Sequence, residues 1–328
     1  MTQPQFNFSG LTPDIIWQAM AEIGIRAESG LLALNSYENR VYQFTDEEKQ
    51  RYVVKFYRPQ RWNKAQILEE HQFCLALQQS DIPVIAPLVI NGHSLHDHQG
   101  FLFALYPSVG GRNFEVDNDD QLESVGHYLG QIHQIGPTSH FAHRRSLCDL
   151  SSIDSPIEII GNCELIPSSL RGQIIQTMEK LLCEITPSLN QPFTTRRLHG
   201  DCHPSNILWR DGPVFVDFDD IVNGPAIQDI WMLLNGEQND KRMQLDILLE
   251  SYQSFCHFDV NELKLIEPLR GLRMLNYMAW IAKRWQDPAF PNAFPWFQQA
   301  PYWQNQINTL EEQIRTIQQP PLTLFSQW

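Results

Sequence analysis

Long apolar runs are missing from this sequence: none approaches the roughly 18 consecutive residues that a membrane-spanning helix requires. The first residues, M-T-Q-P, also lack the basic and then apolar pattern of an export signal. Basic side chains are scarce, because 24 Lys and Arg stand against 38 Asp and Glu, a formal net charge of −14. General nucleic-acid and anionic-membrane binders need a basic surface. We therefore expect a cytoplasmic protein with neither nucleic acid nor membrane among its partners. We also expect a monomer.

Paired cysteines are missing as well. The six cysteines are scattered through the 328 residues without a C-x-x-C pair, so we expect free thiols in a reducing compartment and neither a zinc site nor a disulfide framework. Internal repeats and low-complexity linkers are also lacking. With 42% hydrophobic residues, the chain has the composition and the length of a globular protein with two lobes.

One stretch has the residue spacing of a phosphoryl-transfer site. Residues 198–209 read L-H-G-D-C-H-P-S-N-I-L-W, and residues 214–220 read V-F-V-D-F-D-D. A kinase catalytic loop, H-x-D-x-x-x-x-N, supplies an Asp that positions the acceptor hydroxyl and an Asn that holds a metal ion. A later Asp at the end of a strand holds the metal ions that bridge the phosphates. Asp201, Asn206 and Asp217 occupy these three places.

The residues of this motif also allow other interpretations. Asp, Asn and Gly are common in surface turns for conformational reasons alone, but the apolar run directly before Asp217 favours a functional carboxylate at a strand end. Asp219 has the same strand parity as Asp217 and is the second candidate for the metal ligand. Cys202 neighbours the predicted base, and we expect a packed, inert thiol there in preference to a redox centre.

Further upstream, a lysine lies within an apolar strand. Residues 51–57 read R-Y-V-V-K-F-Y, so Lys55 is a charge among apolar neighbours, and a buried ammonium without a partner is costly. Residues 62–79 predict a helix on which Glu70 shares one face with apolar residues at helical spacing, whereas Glu69 points elsewhere. We predict that Glu70 pairs with Lys55, as a helix glutamate supports the strand lysine of a kinase.

Residues 31–44 are typical of a strand, a polar turn and a second strand. The turn N-S-Y-E-N, at residues 35–39, occupies the place where a kinase folds a glycine-rich loop over the phosphates, but it contains no glycine. Ser36 and the backbone N–H groups could still donate to a phosphate, and an ordinary hairpin tip is the alternative. Residues 83–90 and 100–107 predict another strand pair.

A shift in composition follows this strand pair. After Tyr106 and Pro107, residues 108–112, S-V-G-G-R, shift toward turn formers. We predict an inter-lobe hinge at residues 106–111, whose backbone groups meet an adenine edge. The hinge separates a nucleotide-binding lobe, residues 1–106, from a second lobe, residues 107–328, with the catalytic loop, the metal and the acceptor site.

The second lobe is predicted to be mainly helical. Two of its helices are expected at residues 247–258 and 262–285, the latter interrupted by Pro268. Asp229 lies in the first turn of another helix. It is either a charge partner of the helix dipole or a brace for the catalytic loop, and the two roles are compatible.

With these residues in place, the chain resembles the aminoglycoside-phosphotransferase and choline-kinase-like superfamily, for which the H-G-D-x-H-x-x-N form of the loop is specific. Further runs, at residues 34–44, 53–61, 223–234 and 287–296, resemble a branch of stress-response kinases within it. The resemblance implies an α+β, bilobal protein-kinase-like fold. We expect a small antiparallel-sheet N-lobe with one main helix and a larger helical C-lobe.

The same resemblance implies a reaction and a set of roles. It implies Mg²⁺, with ATP as co-substrate, and phosphorylation of serine or threonine in protein substrates, including the chain itself. Asp201 is then the proton acceptor, with Asp217 also catalytic, and Asn206 and Asp217 bind the metal. The ATP contacts fall to Ser36, Lys55 with its support Glu70, and Tyr106 at the hinge.

One absence favours a different acceptor. Between Asp217 and the helix that begins near Ala226, there is no room for an activation segment ending in A-P-E, on which many protein kinases dock peptides. A small-molecule kinase acting on an aminoglycoside, choline or homoserine-like hydroxyl is therefore the alternative.

Overall fold

The computed structural model describes residues 8–135, 140–150 and 155–325. Their contacts divide the chain into two compact units. Unit 1 combines the residues up to Glu115 with two later stretches, Phe141–Arg144 and His203–Ile221, and unit 2 contains the rest. The lobe boundary after Tyr106 stays a prediction.

Helices and short strands make up most of the described chain. The helices are α1 (Pro13–Glu22), α2 (Lys64–Gln79), α3 (Asp119–Ile135), α4 (Pro156–Gly161), α5 (Ser168–Leu189), α6 (Gln228–Trp231), α7 (Gln238–Tyr252), α8 (Ile266–Arg284), α9 (Ala289–Ala293) and α10 (Ala300–Ile317). The strands are β1 (Leu32–Ala33), β2 (Arg40–Thr45), β3 (Arg51–Phe56), β4 (His96–His98), β5 (Phe101–Pro107), β6 (Arg112–Asn113), β7 (Arg196–Leu198), β8 (Ile207–Trp209), β9 (Pro213–Phe215) and β10 (Val222–Gly224).

Unit 1 is built on a five-stranded antiparallel sheet with the strand order β1-β2-β3-β5-β4. The alternation of β3 divides its side chains as the sequence predicts. Val54 and Phe56 enter an apolar core that also contains residues of α1, whereas Val53 packs on the other face against Tyr106 and Ala104. Helix α2 begins with a capping box and buries Glu70 on its apolar face. A smaller sheet, β6-β8-β9, also belongs to this unit.

The prediction for residues 83–90 is wrong. They form no strand of the sheet, and β5 pairs instead with β3 and with the short β4. Two prolines explain the difference, because Pro83 and Pro87 have no N–H group to donate to a ladder. The segment follows the sheet through single backbone hydrogen bonds, such as Leu88 N–H to the Leu105 carbonyl at 2.7 Å.

Unit 2 is mainly helical, with one antiparallel strand pair, β7–β10, and together the two units confirm the predicted α+β class. Helices α3 and α7 approach closely because of two glycines. A Cβ at Gly130 would lie 2.5 Å from the Tyr252 carbonyl oxygen, and one at Gly126 would overlap the Leu248 carbonyl. His133, one turn after Gly130 on the same face of α3, is thereby brought to the Tyr252 hydroxyl, at 3.0 Å.

Two helix predictions need correction. The helix expected at residues 262–285 is a 3-10 helix, Val260–Leu265, followed by α8, and Pro268 lies in the first turn of α8, where it interrupts nothing. Helix α7 also begins earlier than expected, at Gln238. Within the part of the chain that the structure describes, no helix is both long enough and apolar enough to cross a membrane.

Candidate active site

Lys55, on β3, lies within a cluster of carboxylates in unit 1. Only 8% of the residue is exposed. Its ammonium group donates to Asp219, and Nζ lies 3.5 Å from Asp217 Oδ1 and 3.9 Å from Glu70 Oε1. Burial alone would lower the pKa of Lys55, but Asp219 and its neighbours raise that pKa well above its usual range. Lys55 is therefore paired, with Asp219 nearer than the predicted partner, Glu70.

Glu70 has a second cationic partner, Arg144. Arg144 Nη2 lies 3.2 Å from Glu70 Oε2. Arg144 Nη1 donates to the backbone carbonyl of Asp219 at 2.6 Å, and Arg144 Nε donates to that of Gln66 at 3.0 Å. Glu69 accepts the backbone N–H groups of residues 142–144. The buried Arg144 thus ties α2 to the backbone of Asp219. No sequence signal identified it, because residues 140–145 have no periodicity or motif.

The two candidate aspartates differ in how much of the carboxylate is engaged. Asp219 is 5% exposed and accepts hydrogen bonds from Asn39 and from Lys55, with Arg61 Nη1 at 3.8 Å. Burial would raise the pKa of Asp219, but the charges of Lys55 and Arg61 hold it below its usual range. The Asp217 side chain is 57% exposed, and its backbone is left-handed, with φ 62°. Asp217 is the more accessible carboxylate of the pair.

Asn206 lies beside the strand that leads to Asp217. It ends a 3-10 helix, Pro204–Asn206, and its backbone carbonyl accepts the Val216 N–H at 3.0 Å. An amide oxygen from Asn206 and a carboxylate from Asp217 are hard oxygen donors, the type that Mg²⁺ prefers. The donor set therefore fits the predicted metal.

The surrounding charges also suit a cation. Five carboxylates in this part of unit 1 share four cationic side chains, Lys55, Arg58, Arg61 and Arg144. The carboxylates are Glu38, Glu70, Asp217, Asp219 and Asp220. Burial, and then the charge of Asp219, raises the pKa of Glu70 above its ordinary value, as expected where negative charge is in excess. A divalent ion would reverse this excess.

A chain of buried hydroxyl and imidazole groups lies beside Lys55. Tyr106 OH is 2.9 Å from Tyr57 OH, which is 2.7 Å from His71 Nε2, and His71 Nδ1 is 2.9 Å from Ser94 Oγ. The Lys55 ammonium lies 5.4 Å and 5.3 Å from the ring centres of Tyr57 and Tyr106. Burial, together with the charge of Lys55, lowers the pKa of His71 to about 3. The sequence does not predict this series of hydrogen-bonded side chains, which gives the Tyr106 side chain a fixed position.

In unit 2, the predicted catalytic loop is held by Asp229. The Asp229 carboxylate accepts the His199 N–H at 2.7 Å and the Gly200 N–H at 2.8 Å. His133 Nε2, at 3.1 Å, donates to the same carboxylate. Gly200 has φ 85°, a conformation that favours glycine. Of the two interpretations of Asp229, the structure therefore supports a brace for the loop.

Asp201, the predicted base, is 24% exposed in its side chain and forms an ion pair with Arg273 on α8. The Arg273 side chain is 46% exposed, so this contact reaches solvent. Neighbouring Cys202 is fully buried, and burial raises the pKa of its thiol well above the usual range. A protonated, buried thiol agrees with the inert cysteine predicted there.

Known proteins resemble this chain along most of its length. A family model described as the phosphotransferase enzyme family matches residues 31–266. Stress response kinase A of Escherichia coli (strain K12) is 52% identical over 324 residues, 99% of each chain. Serine/threonine protein kinase RdoA of Salmonella typhimurium is 50% identical over 324 residues, again 99% of each chain.

A solved structure shares the fold. Amicoumacin kinase hAmiN, in complex with AMP-PNP, Ca²⁺ and Ami, has a TM-score of 0.73 and 19% sequence identity, and the match covers 97% of each chain. The superfamily resemblance and the protein-kinase-like fold inferred from the sequence motifs are confirmed.

Proposed function

Because the chain belongs to the phosphotransferase enzyme family, we propose that this kinase transfers the γ-phosphoryl group of ATP to serine or threonine hydroxyls in proteins, including itself, with Mg²⁺ as the metal. The observation that carries the proposal is the 50% sequence identity, over 99% of the chain, to a protein named as a serine/threonine protein kinase. A role in a stress response is proposed on the same footing, from the relatives named stress response kinase A.

The contacts of unit 1 support a nucleotide-binding role for it. Lys55 contacts the phosphates of ATP in this proposal, and Glu70 and Asp219 hold the ammonium group when nucleotide is absent. Asn206 and Asp217 would hold the magnesium ion, which would supply neutralisation of the charge that develops on the phosphates. Ser36 and Tyr106 complete the nucleotide contacts.

The contacts of unit 2 support a role for Asp201 as the base. Two backbone N–H groups held by Asp229 fix the loop that carries Asp201. A carboxylate at a fixed position can accept the proton of an acceptor hydroxyl. The Arg273 ion pair keeps the carboxylate oriented when no acceptor is present.

One observation favours a second candidate, a small-molecule kinase. Residues 218–227, where many protein kinases have a long activation segment, hold only a 3-10 helix and β10 before α6 begins. A short connection of this kind leaves the acceptor side without the segment that docks a peptide.

Labelled ATP distinguishes the two candidates. Wild type and Asp201→Ala are incubated with γ-labelled ATP and Mg²⁺, first alone and then with protein and small-alcohol acceptors, and labelled protein is hydrolysed to identify the phosphoamino acid. We expect label on serine or threonine with wild type alone. Unlabelled protein, together with rapid turnover of an aminoglycoside, choline or homoserine, would overturn the proposal in favour of the second candidate.

The metal assignment has its own test. Activity is titrated with Mg²⁺ for wild type, Asp217→Ala and Asp219→Ala. We expect Asp217→Ala to lose metal-dependent activity, because its accessible carboxylate supplies a ligand. An unchanged response in Asp217→Ala, with a lost response in Asp219→Ala, would move the ligand role to Asp219.

A further inference from the structure

The turn between β1 and β2, residues 35–39, is fastened by a buried asparagine. Asn39 is 3% exposed, although it lies at a hairpin turn. Its side-chain Nδ2 donates to Asp219 Oδ2, and its Oδ1 accepts the Arg58 N–H at 2.9 Å. Both ends of the amide are thus used, and they join the turn to two segments that are distant in sequence.

Two arginines reinforce the attachment. Arg58 donates to the backbone carbonyls of Tyr37, at 3.0 Å, and Glu38, at 2.8 Å. The Glu38 carboxylate lies 2.9 Å from Arg58 Nε and 3.8 Å from Arg61 Nε, and Arg61 Nη2 donates to Asp220 at 2.6 Å. The turn is therefore fixed by side-chain contacts with residues 58–61 and 219–220.

The attachment places the turn close to Lys55. Asn39 and Lys55 both donate to the Asp219 carboxylate, so a single side chain separates them. Ser36 precedes Asn39 by three residues, so the Cα atoms of the two residues can lie no more than about 11 Å apart. Within residues 35–39, all of which the structure describes, no backbone φ is positive, so the turn has no position that requires glycine.

We propose that Asn39 is a positioning residue that holds the 35–39 turn against the ATP phosphates, in place of the flexible glycine-rich loop of other kinases. Asn39 acts through the turn and through Asp219, and does not itself touch the nucleotide. The inference rests on the proposed function, because it takes Lys55 as the phosphate contact. A turn fastened by side chains can present Ser36 and its backbone N–H groups to a phosphate without closing first.

The test compares ATP with adenosine, which lacks phosphates. Binding of both to wild type and to Asn39→Ala is measured by calorimetry with Mg²⁺ present. We expect about a tenfold or greater loss of ATP affinity in Asn39→Ala, the range for removing a hydrogen bond to a charged group, and unchanged adenosine affinity. Asn39→Asp should lose more, because it sets a second carboxylate against Asp219.

Asn63→Ala is the matched control. It removes another side-chain amide of unit 1, the N-cap of α2, without touching the turn. If Asn63→Ala lowers ATP affinity as much as Asn39→Ala, general destabilisation explains the loss and the inference is overturned. If Asn39→Ala does not fold, Arg58→Lys serves instead, because lysine lacks the planar guanidinium whose separate nitrogens donate to the two carbonyls of the turn.

The remaining outcomes separate this inference from the proposed function. Equal losses for ATP and adenosine, or no loss in Asn39→Ala, overturn the role of Asn39 and leave the proposed function standing. Wild type that binds ATP no better than adenosine overturns the phosphate contact of the turn, and with it the role of Asn39, while transfer of label from ATP tests the proposed function separately.

Discussion

In unit 1, Lys55 and Arg61 each pair with more than one carboxylate, and Arg144 pairs with Glu70, which Lys55 also approaches. In unit 2, a single buried carboxylate, Asp229, accepts two backbone N–H groups and one imidazole. Shared ion pairs can exchange partners at a modest cost in free energy, since each charge keeps a neighbour. Backbone N–H groups bound to one acceptor cannot exchange without changing the conformation of the loop.

Under the proposed function, this difference matches the two halves of phosphoryl transfer. A polyphosphate brings several negative charges and a metal ion, so the side chains that receive it have to give up existing partners. A base, in contrast, needs a fixed position relative to the acceptor hydroxyl. Variants in the two units should therefore affect different quantities.

The largest expected effect is on turnover. Asp201→Ala should lower kcat by about 10²–10⁴-fold, the usual contribution of a general base, while the affinity for Mg-ATP stays close to that of wild type. Lys55→Ala is the counterpart in unit 1 and should weaken ATP binding. Single-turnover kinetics and ATP binding are measured on both variants. Equal losses of binding and turnover in Asp201→Ala would contradict its role as a base.

Gly130→Ala should destabilise the protein toward the upper end of about 1–3 kcal/mol, because the new methyl group meets the Tyr252 backbone, which cannot rotate away. Gly172→Ala is the control: it also replaces a helical glycine, on α5, but its Cβ has no neighbour within 4 Å. That variant should be stabilised by up to about 1 kcal/mol. Urea unfolding measures both, and equal effects would show that the close approach of α3 and α7 is not what Gly130 provides.

Acid should weaken the protein through His71. Its pKa is about 3 when folded and about 6.5 when unfolded. Between these values the unfolded chain binds a proton that the folded chain does not, so the free energy of unfolding decreases as the pH falls. At pH 5 this amounts to about 2 kcal/mol.

Replacing His71 tests this dependence on pH. His71→Gln should flatten the stability profile between pH 7 and pH 5 by that amount, as measured by urea unfolding at each pH. The exposed His140, replaced in the same way, is the control. A parallel profile in His71→Gln would mean that the histidine does not remain neutral in the folded protein.

The smallest effect concerns the partners of Lys55. Double-mutant cycles pair Lys55→Met with Asp219→Asn and with Glu70→Gln, with the free energy of unfolding as the readout. We expect a coupling energy of about 1 kcal/mol or more with Asp219 and less with Glu70, because the ammonium group donates to Asp219 and lies 3.9 Å from Glu70. Stronger coupling to Glu70 would reverse the order of partners described above.

Local patterns in the sequence predicted much of the fold. Alternation along β3 separated the two faces of the sheet, and helical spacing on α2 distinguished the buried Glu70 from Glu69. The strand parity of Asp219 marked it as an alternative to Asp217. Its bond to Lys55 could not be predicted, because residue spacing shows which face of an element a side chain lies on but not which distant residue it contacts. The strand predicted at residues 83–90 is wrong, because their hydrophobicity is typical of a strand but Pro83 and Pro87 cannot donate to a ladder.

The residues that were missed share a physical property. Arg144, Asn39 and Arg273 act through contacts with residues more than seventy positions away. They lie in a loop, a turn and the partly exposed part of a helix, where polar residues are ordinary. Only the folded chain shows that their partners include Glu70, Asp219 and Asp201.

Unit 1 is assembled from three separate stretches of the chain, the last ending at Ile221. During synthesis, Lys55 emerges long before its partner Asp219, which follows it by 164 residues. At 5–20 residues per second, this interval lasts roughly 8–33 s. A nascent chain therefore carries Lys55 without Asp219 for that time. A fragment that ends before Asp220 cannot contain the complete charged cluster, so the proposed nucleotide-binding contacts can form only when two-thirds of the chain exists.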